Sequence, residues 1–382
     1  MFEALLGNEI ILLSVGAAIA LSGETYLSYM GKAYPLGVYA YVVSRIRVMN
    51  SRLLKEPKLN ALIESYTAED VIASFEGTIY EQYMPSGNSL LEVELALNKS
   101  LAETYNKIVK MSPSTAKNFF SWVQARYDIE NLKAILAAKI AEKETGELFP
   151  GTFSETLNQR LIDAASLSEA IELLKNTKFE KIIESISSNP SLIEVERALD
   201  KYLYEELLSK GRIIILATNA GVINDDKFLT EIYARQADLI NIKLVLRAKL
   251  DNIPSEEIKN IVLKNRFNLD EKTLNSIIEA DSVPSVISTL EATDYFEPLN
   301  EQVNEFNRSG KLFLLEKALD QFYFKKVKSI FYKQSFGLSP IACFLTLKEL
   351  EIRNLKTIMK GIQSSLPKQQ IQDLVIFFGE SK

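Results

Sequence analysis

The chain has 382 residues, 47% hydrophobic and 25% charged, with a formal net charge of −6. That balance belongs to folded globular chains, and an acidic chain lacks the basic face that non-specific nucleic-acid binding requires. There is no histidine and a single cysteine, Cys343, which excludes Ser-His-Asp and Cys-His catalysis, a His-ligated zinc site and an internal disulfide.

In chain order, the first feature is the apolar run IILLSVGAAIAL, residues 10–21. A membrane-spanning helix needs about 20 apolar residues, and extending this run to Gly31 takes in Glu24. The Met-Phe-Glu start lacks the bases of a signal peptide. The expectation is a docked or interfacial helix, with a membrane span, a signal peptide and a misplaced start as alternatives.

From residue 39 onward apolar residues recur at i, i+3, i+4 and i+7, which predicts helix for nearly the whole chain. The first helix is YAYVVSRIRVMNSRLL (39–54). Ser112-Pro113 reads as a cap with proline at the first helical position. The helix predicted from there to 141 has about 29 residues and spans roughly 43 Å. On it Ile129, Leu132, Leu136 and Ile140 share a face, with Ile135 beside them. RIIIL (212–216) is the one β-like run and reads as buried helix or an extended connection. Asn224-Asp225-Asp226 offers caps for the next long helix, and Ser339-Pro340 for the last. Cys343, within IACFL, reads as a small buried hydrophobe.

Three of these long helices repeat one another: YDIENLKAILAAK (127–139), ADLINIKLVLRAK (237–249) and LEIRNLKTIMKGI (350–362). Each sets an asparagine inside an apolar stripe (Asn131, Asn241, Asn354) with an acid three residues earlier (Asp128, Asp238, Glu351). The helix at 39–54 has Ser44 in that place. Between the long helices run two further echoes. One contains Phe75-x-x-Thr78-x-Tyr80, Leu174-x-x-Thr177-x-Phe179 and Leu290-x-x-Thr293-x-Tyr295. The other carries Glu94, Glu196 and Glu316 before Ala-Leu or x-Ala-Leu. The blocks recur in constant order about every 110 residues.

The pattern predicts an all-α fold of three similar helical domains about a pseudo-three-fold axis. The divisions are an apolar segment 1–38, units 39–127, 128–237 and 238–349, and a closing helix and tail 350–382. An open rod would need distinct polar end caps.

Asparagine is a poor helix-interior residue and is tolerated where its amide is satisfied by a neighbouring element. Asn131, Asn241 and Asn354, with their acids, therefore read as structural anchors that fix register. A ligand site is the alternative, disfavoured because the residues lie in equivalent places of three units. Glu94, Glu196 and Glu316 read as acids complementing a helix dipole, and Thr78, Thr177 and Thr293 as the ends of short helices. No phosphate-binding, dinucleotide or hydrolase glycine motif occurs, so no catalytic, cofactor or metal residue is assigned.

Charge is uneven. Residues 59–106 hold eight acids and one lysine, whereas 300–333 hold seven bases and four acids. Solvated helix faces account for this, or docking faces of opposite sign, with Lys325, Lys326 and Lys328 as candidates.

Four stretches carry a family resemblance: Y-A-Y-x-x-S-R-I-R-x-M-x-S-R-L-L at 39–54, D-I-E-N-L-K at 128–133, E-R-A-L-D at 196–200 and K-E-L-E-I-R-N-L at 348–355. With their order and recurrence, the chain resembles the C subunit of the archaeal A-type (V-type) ATP synthases, counterpart of the V-ATPase d subunit, over about 39–365. The resemblance implies a funnel of helices in the rotor's central stalk. It implies no cofactor and no catalytic residue. The partners it implies are the coiled-coil shaft subunit, other central-stalk subunits and the membrane proteolipid ring, with a peripheral place on the cytoplasmic face of the cell membrane. The rival readings are a helical scaffold with other clients and a carboxylate-based enzyme, for which no residue gives a positive reason.

Overall fold

The computed structural model describes residues 37, 39–85, 89–141, 145, 148, 151, 153–175, 177, 179–180, 192–203, 225–263 and 267–377. The apolar run 10–21, RIIIL at 212–216 and Asn224 lie outside the described residues, as do the side chains of Glu196, Asp225 and Asp226.

Among the described residues there are sixteen α-helices and no strand. They are α1 (39–51), α2 (Glu56–Ile63), α3 (Ala68–Ala73), α4 (Leu90–Met111), α5 (Lys117–Ile140), α6 (Glu155–Asp163), α7 (Leu167–Glu172) and α8 (Leu192–Lys201), followed by α9 (Asp225–Leu250), α10 (Ser255–Ile261), α11 (Glu271–Glu279), α12 (Val283–Thr289), α13 (Phe296–Ser309), α14 (Phe313–Lys333), α15 (Ser339–Gln363) and α16 (Lys368–Leu374).

Five of the short helices, α3, α6, α7, α11 and α12, begin on side-chain caps, which spare the orphan amides of the first turn. Thr67 and Asp70 form a reciprocal capping box, and Ser154, Ser166, Asp270 and Ser282 each accept from the N–H three residues on. The expected caps of two long helices are corrected. Ser112 ends α4, its hydroxyl donating to the Ile108 carbonyl at 2.7 Å. Pro113 then precedes a 3-10 turn (Ser114–Ala116), so α5 starts at Lys117 and has 24 residues. Ser339 is already inside α15, whose N-cap is Leu338.

The long helices assemble two apolar cores. The larger joins α1, the end of α4, α5 and α9, the short helices between them, α14 and the first half of α15, with Ile341, Phe344, Leu345 and Leu347 buried. The smaller gathers Leu59, Leu62, Val71, Phe75, Val93 and Leu97 from the N-terminal helices. It is completed from the opposite end of the chain by Ile352, Leu355, Ile358, Met359, Ile371 and Val375. Helix α15 therefore lies in both cores, and α2–α4 bury their apolar faces against the last two helices. Each such side chain contributes about 1.5–3 kcal/mol of gross burial. Helices α2–α4 and the last two helices thus hold one another in place.

Helix α16 can approach α15 because Gly361 lacks a side chain. A Cβ there would lie 2.6 Å from Ile371 Cγ1 and 2.9 Å from its Cδ1. Ile371 is buried and β-branched, so it has little room to turn aside. Alanine should gain up to about 1 kcal/mol of helix propensity and lose about 1–3 kcal/mol to overpacking. Gly361→Ala is expected to lower the denaturant midpoint in the wild-type background and to be harmless with Ile371→Ala; equal effects in both backgrounds would refute the contact.

Candidate functional site

The repeated acid and asparagine lie three residues apart, so their side chains leave one face of a helix together. On α9 both are buried and both reach the same connection. Asn241 Nδ2 donates to the Leu263 carbonyl at 2.9 Å, and the Leu263 N–H returns a bond of 2.7 Å to Oδ1. Asp238 accepts from the backbone N–H of Phe267 (2.9 Å), Asn268 (2.7 Å) and Leu269 (3.1 Å). The Tyr295 hydroxyl adds a fourth bond at 2.6 Å. Leu263, after α10, and Phe267, Asn268 and Leu269, before α11, are pinned to α9 in this way.

On α15 the geometry recurs, with partners from both ends of the chain. Asn354 donates to the Ile376 carbonyl at 2.9 Å and accepts its N–H at 3.1 Å. Glu351 accepts from the Leu54 N–H and from the Tyr80 hydroxyl, each at 2.5 Å. Tyr80 thus stands to Glu351 as Tyr295 stands to Asp238, from 271 residues away instead of 57. On α5, Asp128 and Asn131 are also buried, and Asp128 accepts the Phe153 N–H at 3.3 Å. Gly151 has no Cβ where one would lie 1.9 Å from Asp128 Oδ1. Here the aromatic is Phe179, which has no hydroxyl to offer.

The threonines place these aromatics. Thr78, Thr177 and Thr293 each donate to the carbonyl three residues back, Phe75, Leu174 and Leu290, at 2.6, 2.6 and 2.7 Å. Each hydroxyl also accepts the N–H of the aromatic two residues on, at 3.2, 3.1 and 3.2 Å. Closing the turn in this way fixes the backbone of the aromatic residue.

Two cations complete the sites and were not singled out in the sequence. Lys348 and Arg235 precede their acids by three residues and are only 1% and 2% exposed. Lys348 Nζ donates to Glu351 at 2.8 Å and to the Tyr80 hydroxyl at 2.5 Å, and lies 4.2 Å from the centre of that ring. Arg235 pairs with Glu231 and Asp294 at 2.9 and 3.2 Å, and sits over the rings of Phe267, Tyr295 and Phe322. The corresponding residue on α5 is Ala125. The signals that could have found these residues are the cation in that register and the aromatic of the T-x-aromatic echo.

Burial sets the electrostatics. It raises the Asp238 carboxyl above the usual range, opposed by the Tyr295 hydroxyl and three backbone N–H groups. It lowers the Lys348 ammonium, opposed by Glu351. It raises the Tyr80 hydroxyl well above its ordinary value, and Glu351 adds to the rise. A buried carboxylate without such partners would be strongly unfavourable.

The second set of acids faces the same long helices. Glu316, in the first turn of α14, pairs with Arg247 at 2.5 Å, and its neighbour Asp320 with Lys243 at 2.7 Å. Glu94 lies beyond the first turn of α4, where a helix dipole has little reach. It meets Lys356 and Lys360 of α15 at 3.6 and 3.7 Å. Asp200 of α8, four residues after Glu196, pairs with Lys133 of α5. The three lysines of α14 do not share a face. Lys325 is exposed, Lys326 turns to Asp294 at 4.0 Å and to the Phe322 ring, and Lys328 lines a cleft of about 850 Å³ together with Lys55, Tyr332, Glu351 and Asn354.

Chemically, the anchors bind loops. Asp128, Asp238 and Glu351 occupy separate places and do not converge, and among the described residues no group of three carboxylates or thiols could hold a metal ion. Asn241→Leu strands both the N–H and the carbonyl of Leu263, so a loss of about 2–4 kcal/mol in unfolding free energy is expected. Chemical denaturation should detect it, and a change below about 0.5 kcal/mol would refute the clamp.

A second expectation concerns alkali. Tyr80, Tyr105, Tyr127, Tyr233, Tyr295 and Tyr323 are all raised above their ordinary value, chiefly by burial. Above pH of about 10 the unfolded chain loses these protons while the folded chain keeps them. Stability that is fully present below that pH should fall by up to about 1.4 kcal/mol per pH unit per tyrosine. Lys348 and Lys317, both lowered by burial, work the other way as pH rises towards their unfolded value, and the raised tyrosines outnumber them. Thermal melts from about pH 8 to 11 should show Tm dropping steeply past 10, and a flat profile would refute the burial of these hydroxyls.

The family model described as ATP synthase (C/AC39) subunit matches residues 42–374. The chain is 31% identical to the C subunit of the A-type ATP synthase of Methanocaldococcus jannaschii, over 97% of this chain and 94% of that protein. It is 30% identical to the C subunit of the A-type ATP synthase of Methanosphaera stadtmanae, over 98% and 96%. With that of Thermococcus kodakarensis the identity is 27%, over 88% and 90%. A match running from α1 into α16, with relatives of nearly equal length, shows that this all-helical chain belongs to the ATP synthase (C/AC39) subunit family.

Proposed function

We propose that the chain is a non-catalytic adaptor in the central stalk of a rotary A/V-type ATP synthase, joining the coiled-coil shaft to the membrane proteolipid ring on the cytoplasmic side. One observation carries this reading beyond family membership. The last long helix is bonded into the first helical unit through Glu351, Tyr80 and the Leu54 amide, so the chain is tied end to end by directional contacts. A part that passes torque between two partners needs such stiffness and two separate faces. It needs no nucleophile.

On this reading the divisions are three units, 39–127, 128–237 and 238–349, closed by 350–382. Asn131, Asn241 and Asn354, with Asp128, Asp238 and Glu351, hold the helices in register, and Glu94 and Glu316 tie neighbouring helices to them. The uneven charge gives the body an acidic side over 59–106 and a basic side around Lys325 and Lys328. Opposite signs suit different partners and raise association rates. No membrane-spanning helix is found among the described residues, which accords with a peripheral seat.

Gentle solubilisation of native membranes should recover the chain with a coiled-coil shaft subunit and the proteolipid ring. Recovery with neither would refute the adaptor reading and favour a helical scaffold with other clients.

A further inference from the structure

Helix α1 presents Tyr41, Arg45 and Val48 along one solvent face, with the exposed Arg52 just past its end, and Tyr41 and Val48 are 62% and 50% exposed. Segment 39–55 carries Arg45, Arg47, Arg52 and Lys55 and no acid. Segment 325–334 carries Lys325, Lys326, Lys328 and Lys333, also with no acid. Two stretches purely basic are unexpected in a chain of net charge −6.

The structure makes them neighbours. Arg47 donates to the Gln334 carbonyl at 3.3 Å, and the Asn50 amide to the Tyr332 hydroxyl at 3.5 Å. Lys55, Lys328 and Tyr332 line one cleft. Lys325, Lys328 and Tyr332 form a stripe along α14, and Tyr332 is 54% exposed. Lys326 alone turns away, to Asp294 and Phe322.

We propose that this basic and aromatic face rests on a membrane surface of anionic lipid headgroups. Three features favour lipid over an acidic protein. The cations are long, flexible side chains fanned over two helices, which suits a diffuse fluid charge better than a fixed array of carboxylates. Tyrosines are at home at the headgroup level, with the ring against apolar material and the hydroxyl in water. Val48, 50% exposed among these cations, gains by meeting the apolar boundary of the headgroup layer. The proposal deepens the peripheral membrane seat and rests on that reading for its biological setting.

The experiment is co-sedimentation of the full chain, alone, with vesicles of phosphatidylcholine and with vesicles in which about one third is phosphatidylglycerol. Binding is expected to the anionic vesicles, with loss at high salt. Each basic residue at such a surface is worth about fivefold in partitioning, so Arg45→Glu with Arg52→Glu should weaken binding more than tenfold. Lys107→Glu with Lys110→Glu, an equal charge change on the exposed side of α4, should leave binding unchanged. Arg45→Gln with Arg52→Gln gives the smaller loss of neutralisation, and melting temperatures show whether the variants fold.

Equal binding to both vesicle types, or equal loss in the α1 and α4 variants, would overturn the proposal. Failure to bind anionic vesicles, while Arg45→Glu with Arg52→Glu abolishes capture of a proteolipid ring in lipid-free detergent, would also overturn it and assign the face to protein. The adaptor reading is tested separately, because co-purification with shaft and ring does not depend on vesicle binding.

Discussion

The structure depends on the buried carboxylate of Glu351. A carboxylate removed from water is tolerable only when most of its acceptor sites are filled. Here the donors are the Leu54 amide, the Tyr80 hydroxyl and the Lys348 ammonium. The first two come from the beginning of the described chain and the acid from near its end. The electrostatic need of one side chain therefore brings together segments that sequence order keeps apart. The apolar core shared by α2–α4, α15 and α16 forms around that junction. Hydrophobic burial supplies more of the free energy, but it is non-directional. The hydrogen bonds decide which register is buried.

The three anchor sites differ in a consistent way. Where the acid has a tyrosine, at Glu351 and Asp238, a buried cation stands three residues before it and over the ring. Where the aromatic is Phe179, the cation position is Ala125. Hydroxyl and cation are present together or absent together. A buried lysine or arginine without the partial charge of a phenol and a carboxylate nearby would be as unfavourable as the acid alone. At Asp128 the loop comes closer instead, at Gly151, a position that excludes any side chain. One geometry is reached by two routes, one through a hydroxyl and a cation and the other through close approach of the backbone.

Much of this was legible in the sequence. Helical periodicity gave the class, and the recurrence of Asn131, Asn241 and Asn354 marked the helices that carry the anchors. Two things were not legible. The cap assignments at Ser112 and Ser339 failed because tertiary context overrides local preference. The Ser112 hydroxyl is committed to the Ile108 carbonyl, and α15 takes Leu338 as its N-cap, which leaves Ser339 one position inside the helix. The asparagine partners were hidden because they are backbone groups of apolar residues. Leu263 and Ile376 each lie 22 residues beyond their asparagine, but nothing in leucine or isoleucine advertises a carbonyl in use. Lys348 and Arg235 resembled ordinary surface cations in a helical pattern, and only the fold shows them buried.

For a part proposed to carry torque, the kind of contact matters more than the total. Apolar faces that slide by one residue lose little until packing is disturbed, since their attraction depends on area and not direction. A clamp such as Asn354 with Ile376, bonded in both senses, loses both bonds on the same displacement and leaves two buried groups unsatisfied. Stiffness against small shear therefore resides in a few polar joints set within the apolar interfaces. Those joints lie where α9 meets the segment after α10, where α15 meets the segment after α16, and where α15 meets Leu54 and Tyr80. Shear between the helices must break them before the body can yield, and that places the resistance at buried polar groups without requiring any of them to react.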